Sequence, residues 1–428
     1  MRRLALLAVT ALAASVARAQ SPATTALRAA RLVVGDGTVL DNPVVLIRGD
    51  RIAEVGPAAR VRVPAGAKVI DLPGHTLLPG FMDTHTHLTS IDSDGGDLAA
   101  IKETGAHSGI WAAVNARKTL DAGFTVVREA GALHYADVAA KEAVNRGIIP
   151  GPRIYAAGPA LGILGGHADV NGYSPDIELP GTGVIVNGVD EVRQMVRRHA
   201  KYGTDHIKIV ATGGILSQGD APTASQFSDA ELREAVAEAR RLGRKVMAHA
   251  HGGAGLTAAV EAGVASIEHG SLVDDAQGAL MKQRGTYLVP TLIILEEIVR
   301  DAEKKGYPPY AIAKARAIAA ERRVRLKTAF QYGVPFAFGT DATSDIHGRN
   351  GEEFRYMVEI LGATPMQAIL SATREAAALI GISADAGSVT AGKWADIVAV
   401  EGNPLDDVRR LERVAFVMKG GVVYKGAK

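Results

Sequence analysis

Short apolar runs alternate with longer amphipathic stretches through the middle of the chain. The runs are LLPGFMDTHTHL (78–88), FTVVREA (124–130), PRIYAAG (152–158), HIKIVATGG (206–214), KVMAHAHG (245–252), ASIEHG (265–270), TYLVPT (286–291) and PFAFGTDA (335–342). Each has the length and apolar content of a buried strand. Between them lie stretches of helical periodicity such as SDAELREAVAEARRLG (228–243). There Ser228 and Glu231 have capping-box spacing, and Gly243 is a stop signal. Strands alternating with helices predict parallel β-α units. Eight such runs predict an α/β fold of the (β/α)8 TIM-barrel type. An open doubly wound sheet competes with it, but no G-x-G-x-x-G or P-loop supports a nucleotide site on one.

The two ends read differently. Residues 26–71 hold short β-branched runs with turns at Gly35-Asp36-Gly37 and Gly49-Asp50. ADIVAVEG, RVAFVMKGG and VVYKG repeat that texture near the C-terminus. Neither end is long enough for a comfortable core alone, so the two are expected to combine into one small β-sandwich domain. The expected boundaries are 1–19 for a signal peptide, 20–76 and 386–428 for the two parts of the sandwich, and 77–385 for the barrel.

The signal peptide is read from MRRLALLAVTALAASVARAQ. Arg2 and Arg3 precede an apolar run too short to span a bilayer, and Ala17-Arg18-Ala19 has the small-x-small form of a cleavage site. The expectation is an exported protein, periplasmic or secreted, with no membrane attachment after cleavage. Composition narrows the partners. The 48 basic and 46 acidic residues leave a net charge of +2, with no basic stripe or aromatic ladder, which argues against nucleic acid. There is no cysteine, so any metal must be held by His, Asp, Glu or a modified Lys.

In a barrel, chemistry collects at the C-terminal ends of the strands. His85 and His87 end the first run. Two residues apart on a strand, they face the same side. Lys208 lies in the fourth run between isoleucines, His249 and His251 end the fifth, His269 ends the sixth, and Asp341 ends the eighth. Each has an ordinary alternative: a core histidine, a snorkelling lysine, a helix-capping aspartate. Together, five of the twelve histidines fall at the ends of three predicted strands. Imidazole and carboxylate suit a divalent transition metal such as zinc. An ammonium beside cations is disfavoured, so Lys208 must be neutral or modified. Carboxylation by CO2 would turn it into an anionic carbamate bridge between two metals.

LPGFMDTHTHL, IKIVATGG, VMAHAHG, SIEHG and FGTDA, in that order, resemble the metal-dependent amidohydrolase superfamily. The lead-out SATREAAALIG and GSVTAGKWADIVAVEGNPL extends the resemblance over nearly the whole mature chain. KIVATGGILS and the GGHAD loop (165–169) are most similar to its imidazolonepropionase-like branch. That branch includes Xaa-Pro dipeptidases, carboxypeptidase-like enzymes acting on N-acyl amino acids, and enzymes that cut ochratoxin A at its amide to phenylalanine.

The resemblance implies roles. His85, His87 and Asp341 would hold one metal, His249 and His269 a second, with carboxylated Lys208 bridging. Asp341 would accept a proton from the attacking water and pass it to the leaving amine. His251 would stabilise the oxyanion or orient substrate, and His167 would bind a substrate carboxylate. The resemblance implies a tyrosine in a QYS-like context where this chain has Gln226-Phe227-Ser228, so Phe227 is taken as an apolar contact for an aromatic substrate. The expected activity is release of a C-terminal amino acid from N-acyl amino acids or dipeptide-like small molecules. Relatives also suggest a homo-oligomer, such as an octamer. Opening of a cyclic amide, Xaa-Pro dipeptidase activity, and a non-catalytic binding role on the same barrel are the alternatives. A serine hydrolase lacks its G-x-S-x-G elbow.

Overall fold

The computed structural model describes residues 24–90, 104–177, 179–301, 303–343 and 345–426. The segment read as a signal peptide lies outside the described residues. The chain opens with β1 (Thr24–Val33), β2 (Val39–Asp41), β3 (Pro43–Arg48), β4 (Arg51–Pro57) and β5 (Lys68–Pro79). Strand and helix then alternate: β6 (Phe81–Thr86), α1 (Gly105–Asp121), β7 (Phe124–Glu129), α2 (Ala136–Asn145) and β8 (Arg153–Tyr155). Next come β9 (Leu161–Gly162), β10 (Val184–Ile185), α3 (Val189–Lys201), β11 (His206–Val210), α4 (Asp229–Arg241) and β12 (Lys245–Ala250). They are followed by α5 (Gly253–Ala262), β13 (Ser266–His269), α6 (Asp275–Arg284), β14 (Tyr287–Val289), α7 (Leu292–Asp301) and α8 (Pro309–Tyr332). After further short helical turns, β15 (Ile397–Glu401), β16 (Val414–Lys419) and β17 (Val422–Lys425) close the chain.

The two ends share one sheet, in the order β17-β16-β15-β5-β1-β3-β4, with β2 beside β1. The joint is antiparallel pairing of β15 on β5, from Ile397 opposite Pro79 to Glu401 opposite His75. Alternation along the strands sends Leu27, Val45 and Ile47 into one buried cluster and Ala26, Val44 and Leu46 into another. Pro79 ends β5 and Phe81 begins β6, so the sheet leads straight into the strand that carries His85.

The middle of the chain forms two parallel sheets, β6-β7-β8 and β10-β9-β11-β12-β13-β14. The run 335–342, expected as an eighth strand, is not a regular one. It makes single parallel bridges, Phe336 to Leu288 and Ala342 to Thr86, so it links β14 to the end of β6. Two residues break its regularity. Gly339 is packed so closely that a Cβ there would lie 2.3 Å from Val289 Cγ1. Asp341 has φ +57°, which no strand accommodates. On the other side, Ala156 O accepts the Asp205 N–H at 2.7 Å and links the segment after β8 to the start of β11.

Local chemistry explains the flanking elements. Ser228 caps α4, and Ser228 and Glu231 make both bonds of the capping box. Gly243, at φ +72°, follows its end. Phe81 and Phe124, the first residues of β6 and β7, pack with Phe338 and Phe354 at ring separations of 4.5–6.4 Å. This aromatic plug fills the end of the strands opposite the histidines.

Candidate functional site

Every side chain along β6 is buried, and the strand delivers His85 and His87 to its C-terminal end. Asp341 meets them there: its Oδ1 lies 3.3 Å from His85 Nε2 and 3.0 Å from His87 Nε2. One ligand atom from each of the three fits within 4.8 Å of the others. The Asp341 N–H donates to His85 O at 2.8 Å, which fixes the two backbones together. The other ring nitrogens are committed outward. His85 Nδ1 sits 2.7 Å from Glu268 Oε2 and His87 Nδ1 sits 3.2 Å from Gly131 O. A carboxylate and a carbonyl only accept, so both rings carry a proton on Nδ1 and present Nε2 inward, toward Asp341. That is the arrangement that orients a metal-binding imidazole.

His249, His251 and His269 continue the ring from β12 and β13. Ring centroids are 4.7 Å apart for His249 and His269, 5.1 Å for His269 and His85, and 4.9 Å for His249 and His251. His249 Nε2 faces Gly213 O at 3.1 Å, which leaves Nδ1 as its free donor atom. His269 Nδ1 is bonded to Thr291 Oγ1 at 2.7 Å, which leaves Nε2. His251 is anchored by Nδ1 to Ser271 Oγ at 2.9 Å.

Electrostatics keep the set ready for a cation. Burial, then the crowding of the His167, His269 and His251 rings, holds His249 well below the ordinary histidine value. His269 is also held well below it, by burial first. Both are therefore neutral imidazoles at pH 7, the form that can bind a metal. Burial works against ionisation of Asp341, but His85 and His87 outweigh it and hold the carboxyl well below its usual range. Lys208, enclosed in β11, is lowered to about 8 by burial, against the opposing pull of Glu268 and Asp341. Imidazoles with their outer nitrogens occupied, a carboxylate and a lysine with a weakened hold on its proton fit a divalent transition metal centre.

The buried carboxylates around the ring were not singled out from the sequence. Glu268 is fully buried beside His269 and accepts from His85 and from Arg128 Nη2 at 2.9 Å. Arg128 also donates to Thr84 O at 2.7 Å and Ser266 Oγ at 3.0 Å. Arg128 and His85 hold Glu268 down at about 2 in spite of its burial. Asp83 accepts from Thr340 Oγ1, Asn350 Nδ2 and the His85 N–H, tying the base of β6 to the segment that carries Asp341. The only signal for either was an acid within the motifs FMDTHTH and SIEHG.

His167 reaches the ring from the loop after β9 and lies against His249, with centroids 4.5 Å apart. Its Nδ1 is 2.8 Å from Ser217 Oγ, and its backbone N–H donates to Gln226 Oε1 at 3.1 Å. Burial lowers it to about 4. Phe227 is buried in the main hydrophobic cluster. No helix among the described residues is long and apolar enough to cross a membrane.

A model of the amidohydrolase family matches residues 76–426. The chain is 34% identical to the ochratoxinase of Aspergillus niger, over 94% of this chain and 87% of that protein. Among solved structures, it superposes on a Xaa-Pro dipeptidase with bound methionine in the active site at TM-score 0.88 and 38% identity, covering 94% of this chain and all of the other. It superposes on Aspergillus niger ochratoxinase at TM-score 0.85 and 32% identity, covering 95% and 96%.

Proposed function

This chain belongs to the amidohydrolase family and is a metal-dependent hydrolase acting on amide bonds, and on that premise we propose that it removes the C-terminal amino acid from N-acyl amino acids and dipeptide-like substrates. Ochratoxin A is proposed as one such substrate, giving ochratoxin α and phenylalanine. The observation that carries this reading is the meeting of His85 Nε2, His87 Nε2 and Asp341 Oδ1 beside the His249 and His269 rings. We read the two parallel sheets and the 335–342 segment as one (β/α)8 barrel, with a small β-sandwich domain from both chain ends.

His85, His87 and Asp341 would hold one divalent ion, zinc by donor type, and His249 and His269 a second. Lys208 would contribute as a carbamate: its neutral amine adds CO2 at Nζ and releases one proton. Such ions, when bound, supply an activated water and a polarised carbonyl. Asp341 holds the proton that comes off that water at Oδ and returns it to the amide nitrogen as the C–N bond breaks, so one water yields an acid and an amine. His251, steadied by Ser271, would meet the developing oxyanion. The aromatic plug at the far end of the strands keeps water from entering behind the site.

Xaa-Pro dipeptidase activity is the second reading, supported by the 38% identical dipeptidase structure. A hydrolysis screen decides. N-acyl amino acids, Xaa-Pro dipeptides and ochratoxin A are incubated with zinc-loaded protein, and the released amino acid is quantified. No release from any member would refute the proposal. We further propose export, tested by N-terminal sequencing of the mature protein, and a homo-oligomer, tested by light scattering.

A further inference from the structure

A buried cation and a buried carboxylate grip the chain where β14 runs into α7. Arg322, on α8, is one of the largest fully buried side chains. Its Nη2 donates to Pro290 O at 3.3 Å and to Thr291 O at 3.0 Å. Glu353, buried on the short helix Glu352–Tyr356, accepts the Leu292 N–H at Oε1 and the Ile293 N–H at Oε2, both at 2.8 Å. Residues 290–293 are thus held, one after another, by two side chains from distant helices.

This grip reverses the usual chemistry of a helix start. Thr291 immediately precedes α7. A threonine there ordinarily has an extended backbone, and its hydroxyl accepts an N–H of the first turn. Here Glu353 takes the first two N–H groups of the helix. Thr291 sits at φ +46°, a left-handed conformation that a β-branched residue rarely adopts. Such a conformation persists only where the surroundings over-determine it. Arg322 on the carbonyl side and Glu353 on the amide side supply that constraint. The ion-pair partner of Arg322, Glu296 Oε1, stands 3.6 Å from Nη1, beyond hydrogen-bond distance. Among the described residues the guanidinium bonds only the two carbonyls, so its grip is on the chain rather than on an acid.

The Thr291 hydroxyl, released from capping, lies 2.7 Å from His269 Nδ1. Both residues are buried, and the bond sets the rotation of the ring. We propose that Arg322 and Glu353 are positioning residues that act through Thr291 to fix His269 as a ligand of the second metal ion. This rests on the two-metal reading above and assigns the residues that prepare one half of it.

The test is zinc binding to chelator-stripped, full-length protein, measured in competition with a chromogenic chelator. The wild type should take up two ions, and His269→Ala identifies the one that depends on that ligand. Thr291→Val, which removes a hydroxyl and no charge, should weaken that ion by roughly 10–100-fold and leave the other bound. Thr291→Ser, which keeps the hydroxyl, should retain most of the affinity. Arg322→Met should weaken the same ion. Arg322→Met/Thr291→Val should bind it no more weakly than the worse single variant, because both changes break one relay. Glu353→Gln, close in shape to the native residue, carries the same comparison if Arg322→Met does not fold. Unchanged affinity in Thr291→Val or in the clamp variant, equal weakening of both ions, or losses that multiply in the double variant overturns the proposal while the two-metal reading stands. A wild type that binds fewer than two ions takes both down.

Discussion

Replacing Arg128 with methionine should be one of the most costly single changes near the site, although Arg128 is not itself a proposed ligand. Its guanidinium is buried and makes three hydrogen bonds, to Thr84 O, Ser266 Oγ and Glu268 Oε1. Methionine fills much of the volume but leaves the Glu268 carboxylate buried without its cation. Breaking a buried pair on one side costs about 3–5 kcal/mol, because an uncompensated charge remains. At roughly 2 cal/mol/K per residue of unfolding entropy, about 4 kcal/mol lowers the melting midpoint of a chain this size by about 5 °C. The assay is thermal unfolding of chelator-treated protein followed by circular dichroism. Arg128→Met/Glu268→Gln should recover a large part of the loss, since the orphan charge is gone. Metal affinity of the single variant should also fall, by roughly 10–100-fold, because His85 loses its firmly held acceptor. A single-variant cost below about 1 kcal/mol, or a double variant less stable than the single one, would refute the reasoning.

Asp341→Asn should leave the circular dichroism spectrum unchanged and lower kcat by roughly 10²–10⁴-fold or more, as loss of the proton carrier requires; turnover near wild type would remove Asp341 from that role. Chelation should abolish activity and zinc restore it, and intact mass should show one CO2 on Lys208 that is lost on acidification; an unmodified lysine in active, metal-loaded protein would rule out the bridge. In Gly214→Ala the new Cβ would lie 2.2 Å from His167 Cε1 and must push the ring aside, so kcat/KM should fall at least about tenfold with little change in melting temperature. Glu238, bonded to Arg241 and Arg197, is lowered by them from the ordinary carboxylate range to about 2. A carboxyl depressed in the folded state stabilises above its unfolded value and loses that contribution as pH falls toward its folded one. Both arginines are more than half exposed, so the worth is below about 1 kcal/mol. The melting difference between wild type and Glu238→Gln should be small at pH 7 and should close between pH 4.5 and about 2.

The cluster of histidines was legible because a strand's period of two and the polarity expected of a barrel confine reactive groups to a few positions. His85 with His87, and His249 with His251, obey that rule directly. Glu268 does not. Adjacent residues on a strand face opposite ways, so a reader who assigns His269 to the site sends Glu268 elsewhere. In the structure Glu268 bonds the His85 ring while the His269 ring lies 5.1 Å from the same ring. The left-handed backbone at His269, φ +73°, breaks the alternation and lets neighbours serve one centre. Asp341 uses the same device, which is also why the eighth strand read from PFAFGTDA is irregular. Thr291, the partner of His269, is left-handed as well, so backbone strain gathers where strands end in chemistry. The grip of Arg322 and Glu353 on Thr291 and its neighbours was illegible for another reason. It joins the end of a strand to two distant helices, and no local periodicity records that meeting.

The joint between β5 and β15 bears on how the protein is made. Pro79 must wait for Ile397, about 300 residues further along. At ordinary elongation rates of about 5–20 residues per second, that wait is roughly 15–60 s on the ribosome. During that time β5 has an unpaired edge on the side later taken by β15. The sheet can be completed only once β15 to β17 have been made, so its closure follows synthesis of the whole stretch between β5 and β15. A chain truncated before β15 would retain the histidine-bearing strands β6, β12 and β13 and lack the strand that seals that edge, and its failure would show first as strand-edge aggregation.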